Sequence, residues 1–141
     1  MQRGRRIAFD YGDVRIGVAV SDPDSILASP YSTLKSTEKN LFKQISIILE
    51  EVDPVQIFVG LPALLSGNAG ASSEKAEEFA KGLSAITSTE IVMVDERMST
   101  VSAARNLRAS GRNAKESKDS IDMAAAVGIL EFAIELEKRK A

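Results

Sequence analysis

The chain has 141 residues, enough to bury one hydrophobic core. Its 44% hydrophobic and 27% charged content is that of an ordinary globular protein. It contains no cysteine and no histidine, which excludes a disulfide framework, a zinc–thiolate centre, a thiol nucleophile and a histidine base. The net charge of −2 conceals an asymmetry. Between Arg97 and Lys118 lie six cations (Arg97, Arg105, Arg108, Arg112, Lys115 and Lys118) against Glu116 alone, a local charge of +5 that leaves −7 for the rest. Arg3, Arg5 and Arg6 form a second, smaller basic cluster. Such patches fit either a solvated helix face or a nucleic-acid footprint.

In chain order, Ile7 to Phe9 reads as a strand ending at Asp10. Tyr11-Gly12-Asp13-Val14 has turn chemistry, with Gly12 expected to be free to take a positive φ. Arg15 to Ser21 reads as a second, buried strand, Pro23-Asp24 as a turn, and Pro30 to Leu34 as a short third strand completing a meander. From Glu38 to Val52 the period becomes helical: Leu41, Ile45, Ile48, Leu49 and Val52 share one face, with Thr37 or Ser36 as the expected cap. Val55 to Val59 is a buried strand closing at Gly60, and residues 61–71 form a loop with Pro62, Gly67 and Gly70. A second helix buries Ala76, Phe79, Ala80 and Leu83, and a strand from Ile91 to Val94 ends at Asp95-Glu96-Arg97. A helix from about Thr100 buries Val101, Ala104 and Leu107, with Gly111 as its C-terminal cap. The last helix is expected from about Ser120 to Lys138.

Three strands without helices, then strand–helix alternation, predict one α/β domain over residues 1–141. The expected sheet is five-stranded and mixed, in the order 3-2-1-4-5, with helices on both faces. Ligands of such sheets gather outside the carboxyl ends of the strands, where Asp10 and Asp95-Glu96 stand. No stretch is long and apolar enough to span a membrane, and the apolar run behind the basic N-terminus is too short for a signal-peptide core. The expected location is cytoplasmic, with no membrane partner.

The candidate chemistry lies in carboxylates. Asp10 follows an apolar strand and precedes a glycine turn, Asp95 and Glu96 end another strand, and Asp122 sits in the first turn of the expected last helix. Singly, each also fits a local role as a turn residue or a helix-start charge. Together at the ends of core elements they would repel unless a cation or a shared proton intervened. With no histidine, magnesium or manganese suits the set, and two such ions can clamp the attacking and leaving oxygens of a phosphoryl displacement. Arg15, Arg97 and Lys118 are near in sequence and suit phosphate. Ser21, Ser99 and Thr100 are hydroxyl candidates for a nucleophile, but none has a histidine partner, and Ser99 or Thr100 is better explained as a helix cap.

Four segments resemble the motifs of one family in order. Asp10-Tyr11-Gly12-Asp13-Val14-Arg15-Ile16-Gly17-Val18-Ala19-Val20-Ser21-Asp22 resembles the first motif of the YqgF family, also called RuvX. Val59-Gly60-Leu61-Pro62, followed by Gly67 and Gly70, resembles the second. Val94-Asp95-Glu96-Arg97-Met98-Ser99-Thr100 resembles the Asp-Glu-Arg-x-Ser-Thr signature, and Ile121 to Leu130 the last helix. The stretch Ala63-Leu64-Leu65-Ser66 departs from the more polar residues the family often carries there. The resemblance implies a ribonuclease H-like fold shared with Holliday junction resolvases of the RuvC type. It implies a metal-dependent nuclease in 5′-end maturation of pre-16S rRNA, or a resolvase of branched DNA. By position, Asp10, Glu96 and Asp122 match the family's acidic triad as catalytic and metal-binding residues, with Asp95, Ser99 and Thr100 supporting. Arg15, Arg97, Arg108, Arg112, Lys115 and Lys118 are the expected nucleic-acid contacts.

Other functions compete. A resolvase needs two active sites and therefore a dimer, and the expectation for this chain is a monomer or weak homodimer. Asp-x-Gly followed by Gly-Val-Ala-Val also resembles the phosphate motif of actin-like ATPases, which need two such domains. A non-catalytic RNA-binding protein is the remaining alternative, for which 5% aromatic content offers few stacking platforms.

Overall fold

The structure is a computed structural model that describes residues 3–61, 71–95 and 114–140, with side chains described for 3–61, 74–95 and 123–139. The elements are β1 (Arg6–Tyr11), β2 (Arg15–Ser21), β3 (Ala28–Lys35), α1 (Leu41–Val52), β4 (Gln56–Leu61), α2 (Ala71–Ser84), β5 (Ile91–Asp95) and α3 (Ala114–Lys140). The five strands form one sheet in the order β3-β2-β1-β4-β5. The first three pair antiparallel, while β4 pairs parallel with both β1 and β5. The mixed sheet and its strand order are those the sequence predicts. The helix expected from Thr100 lies outside the described residues.

Strand alternation divides the core in two. Ile7 and Phe9 of β1, Ile16 and Val18 of β2, Leu34 of β3 and Ile57 and Val59 of β4 point to one face, where α1 contributes Leu41, Ile45, Ile48 and Val52 and α2 contributes Phe79 and Leu83. The alternate residues Ala8, Ala19, Phe58 and Val94 point to the other face and pack under α3, against Ala125, Ala126, Ile129, Leu130 and Ala133. Small residues dominate this second layer, which lets the helix backbone approach the sheet closely. Phe79 anchors the first layer through edge and tilted contacts with Phe9, Tyr11 and Phe42 at 5.1–5.9 Å between ring centroids.

Several boundaries depart from expectation. Helix α1 begins at Leu41 with Asn40 as its cap residue, and no side chain caps it. Ser36 instead donates its hydroxyl to the Gly12 carbonyl, tying the end of β3 to the first turn. The helix ends on Asp53 in the left-handed conformation (φ 49°), a role more often taken by glycine, with Pro54 blocking continuation. Helix α3 starts six residues before the expected Ser120, because Ala114 to Asp119 contains neither glycine nor proline and favours helix. Asp22 organises the β2–β3 turn by accepting from the backbone N–H groups of Leu27, Ile26 and Asp24 at 2.7–3.1 Å. The Leu27 bond foremost, then those of Ile26 and Asp24, holds its carboxyl below the ordinary value.

Candidate active site

The carboxyl ends of β1, β4 and β5 lie at one end of the sheet, together with the start of β2 and the end of β3. Asp10 stands there on the central strand, 3% exposed. By alternation it points to the face covered by α3, as Ala8 does. Its cross-strand partner on β2 is Gly17. On β4, Phe9 pairs with Val59, so Gly60 is the next residue along on that side. Asp10 therefore has a residue without a side chain on each neighbouring strand. Beyond Gly17 in the same row lies Thr33, whose buried hydroxyl oxygen has no hydrogen-bond partner.

One row further toward this end, Arg15 of β2 is paired directly with Lys35 of β3. Gly12 closes the β1–β2 turn. Its φ is not positive, contrary to expectation. Glycine is required there because a Cβ would lie 2.7 Å from the Arg15 carbonyl oxygen. Asp13 in that turn accepts from Lys75 Nζ of α2 at 3.0 Å, and this hydrogen bond raises the lysine's pKa above its ordinary value. Both groups are largely exposed, so the pair contributes little to stability.

Asp95 ends β5 opposite Leu61. Its alternation parity is that of Ile91 and Met93, which pack on the α1–α2 face, while Val92 and Val94 pack on the α3 face with Ala8. Glu96, Arg97, Ser99, Thr100, Arg108 and Arg112 lie outside the described residues. Asp122, Lys115 and Lys118 belong to α3, but their side chains lie outside the description. Asp10 and Arg15 are thus brought to one end of the sheet, and Asp95 joins them there. Among the described residues no group of three metal-ligating side chains is found.

Of the basic cluster at the N-terminus, Arg3 and Arg5 are exposed and Arg6 is not a surface cation. Arg6 is 2% exposed at the opposite end of β1. Its guanidinium donates to Glu137 Oε2 of α3 at 2.9 Å, to the Ser25 hydroxyl at 2.8 Å and to the Gly4 carbonyl at 3.0 Å. Arg3 pairs with Asp24. Sequence reasoning did not single out Glu137, Ser25 or Lys35. For Lys35 the missing signal was register. Tyr31 is an extra residue of β3 at an irregularity opposite Val18 and Ala19, and it decides which β3 residues share a face with Asp10.

Comparison with known proteins agrees with this architecture. The model of the family described as RuvX, Holliday junction resolvase, matches residues 4–136. A Streptomyces avermitilis protein named "Putative pre-16S rRNA nuclease" is 43% identical over 140 residues, covering 98% of this chain and 90% of its own. A Rhodococcus erythropolis protein of the same name is 47% identical over 135 residues, covering 92% and 76%. Among solved structures, Thermus thermophilus RuvC superimposes with a TM-score of 0.53 at 15% identity, covering 95% of this chain and 96% of that one. The same resolvase in complex with a Holliday junction substrate gives 0.52, at 92% and 93% coverage. At that identity the likeness shows the ribonuclease H-like fold alone. The family match over most of the length, with relatives above 40% identity, shows that the chain belongs to the RuvX (YqgF) family of nucleases.

Proposed function

We propose that this chain is a single nuclease domain over residues 1–141, cytoplasmic and monomeric or weakly dimeric, that hydrolyses phosphodiester bonds in 5′-end maturation of pre-16S rRNA. Asp10, Glu96 and Asp122 hold one or two magnesium or manganese ions. The observation that carries this reading is Asp10. It is the one buried carboxylate among the described residues, at the carboxyl end of the central strand, with glycine on either side. The donor set fits the metal: with neither histidine nor cysteine in the chain, the ligands are oxygens, which hard divalent ions prefer. When bound, such ions supply a water activated near neutral pH and offset charge on the scissile phosphate.

Glu96, with Asp95 as the reserve, is the second ligand because of alternation. Val92 and Val94 share the face of Asp10, whereas Asp95 has the parity of Ile91 and Met93, which pack on the opposite face. Asp122 is supported by helical spacing: it precedes Ala125, Ala126 and Ile129 by three, four and seven positions, and those three are buried against the sheet on Asp10's face. Arg15, Arg97, Arg108, Arg112, Lys115 and Lys118 bind and orient the phosphate chain, with Ser99 and Thr100 capping and supporting the segment behind Glu96.

The rRNA substrate rests on what the relatives are called, and the family description favours a four-way DNA junction as the second reading. A side-by-side assay on a 5′-extended 16S rRNA precursor and a four-way junction, with magnesium or manganese and after chelation, separates them. Metal-dependent cutting of the precursor is the expected result. Symmetric cutting of the junction by a dimer overturns the rRNA reading, and binding without cutting of either leaves the non-catalytic RNA-binding alternative.

A further inference from the structure

We propose that a second copy of this chain docks on the groove between the β2–β3 turn and the C-terminal half of α3, forming a two-fold dimer in which the two α3 helices run antiparallel. This face lies at the amino end of β1, away from Asp10. The inference goes beyond the nuclease reading and does not rest on it.

The turn is an apolar projection on a fixed base. Ile26 and Leu27, adjacent and aliphatic, are 80% and 65% exposed. Their backbone N–H groups donate to one carboxylate oxygen of Asp22 at 2.7 and 2.8 Å. Ser25 before them is buried in the left-handed conformation (φ 55°). Its hydroxyl accepts from Arg6, and its carbonyl accepts from Lys138 of α3 at 3.1 Å. Side chains on so constrained a backbone lose little freedom when covered, which favours binding. Beside them Ile26, Ala28 and Ile134 line an open groove of about 480 Å³.

Charge selects the occupant. Glu131, Ile134, Glu135 and Lys138 have the spacing of one helical stripe along this groove, with Arg139 next to it. Acidic groups stand toward one end of the stripe and cations at the other. Glu131 has no ion-pair partner among the described residues, and four positions on it meets Glu135, a like charge. A two-fold axis crossing α3 between Ile134 and Glu135 sets each Glu131 opposite Lys138 of the other copy, twice over. The turn is fastened to Lys138, so each Ile26 meets the Glu131 end of the other copy's groove. The patch is small, so the dimer is reversible. Glu137 and Lys138 meet the amino end of the sheet, so the earlier turns of α3 lie toward Asp10. Reversed helices therefore carry the two Asp10 ends to opposite sides, unlike the paired sites that symmetric junction cleavage needs.

The test is sedimentation velocity of the full chain from low to high micromolar concentration. Wild type is expected to pass reversibly from monomer to dimer. Ile26→Asp removes apolar contact from both halves at once and should weaken association about a hundredfold, with an unchanged thermal midpoint. Ile47→Asp, at a half-exposed position of α1 on the other face of the sheet, should associate as wild type does. Glu131→Lys and Lys138→Glu should each weaken association several-fold, and an equimolar mixture of the two should restore it, because both pairs then join opposite charges. A wild type that stays monomeric throughout overturns the inference and leaves the face to a different protein. Equal loss from Ile26→Asp and Ile47→Asp, or no recovery on mixing the charge variants, overturns it as well.

Discussion

Arg6 and Asp10 lie four residues apart on the same strand and, by alternation, on the same face of the sheet, and both are almost wholly buried. Their surroundings differ. At the amino end of β1 the fold closes around Arg6 with a carboxylate, a hydroxyl and a carbonyl, drawn from α3, the β2–β3 turn and the N-terminal segment. At the carboxyl end the strands beside Asp10 present glycine. A buried charge alone is thus a poor marker of chemistry. The informative difference is position: Arg6 stands at the amino end of the strand and Asp10 at the carboxyl end, where ligands of such sheets gather. The Arg6 contacts pin α3 to the sheet, and the carboxyl end is where the proposed metal site lies.

The largest effect belongs to the carboxyl end. Glu96→Gln should lower cleavage on the order of a thousandfold, while Asp95→Asn, of opposite alternation parity, stays within several-fold of wild type. The reverse pattern in a single-turnover assay would transfer the ligand role to Asp95 and break the parity argument. A smaller effect, on stability, belongs to the amino end. Arg6→Met leaves Glu137 partly buried without its cation, with Oε1 already lacking a hydrogen-bond partner. The cost should be about 3 kcal/mol in urea denaturation. The double variant Arg6→Met/Glu137→Met should recover most of that, because an apolar pair removes both desolvated charges. If Arg6→Met abolished cleavage under conditions where it stayed folded, the two ends would no longer be separable.

Much of the fold was legible in the sequence because its signals are local. Short apolar runs alternating with helical periodicity fix the element types, and a meander followed by two strand–helix units leaves little freedom in strand order. Asp10 was legible as a carboxylate at a strand end. What the sequence withheld are properties of register and distance. The pairing of Arg15 with Lys35 depends on the extra residue at Tyr31. The closure of Arg6 depends on Glu137, 131 positions away. Arg6 read as part of a surface cluster because its two neighbours in composition, Arg3 and Arg5, are ordinary charged residues, and nothing local distinguishes the one that alternation turns beneath α3.

The central claim is that the carboxyl end of β1 holds a metal-dependent centre built on Asp10, and Asp10→Asn tests it most directly. Wild type and variant would be titrated with magnesium and with manganese by calorimetry, then assayed on the rRNA precursor, with thermal unfolding recorded for both. The account predicts saturable metal binding and cleavage by wild type. It predicts neither for the variant, whose unfolding midpoint is equal or higher because carboxylate repulsion is relieved. A folded Asp10→Asn protein that binds the metal as tightly as wild type and cuts the precursor as fast would contradict it.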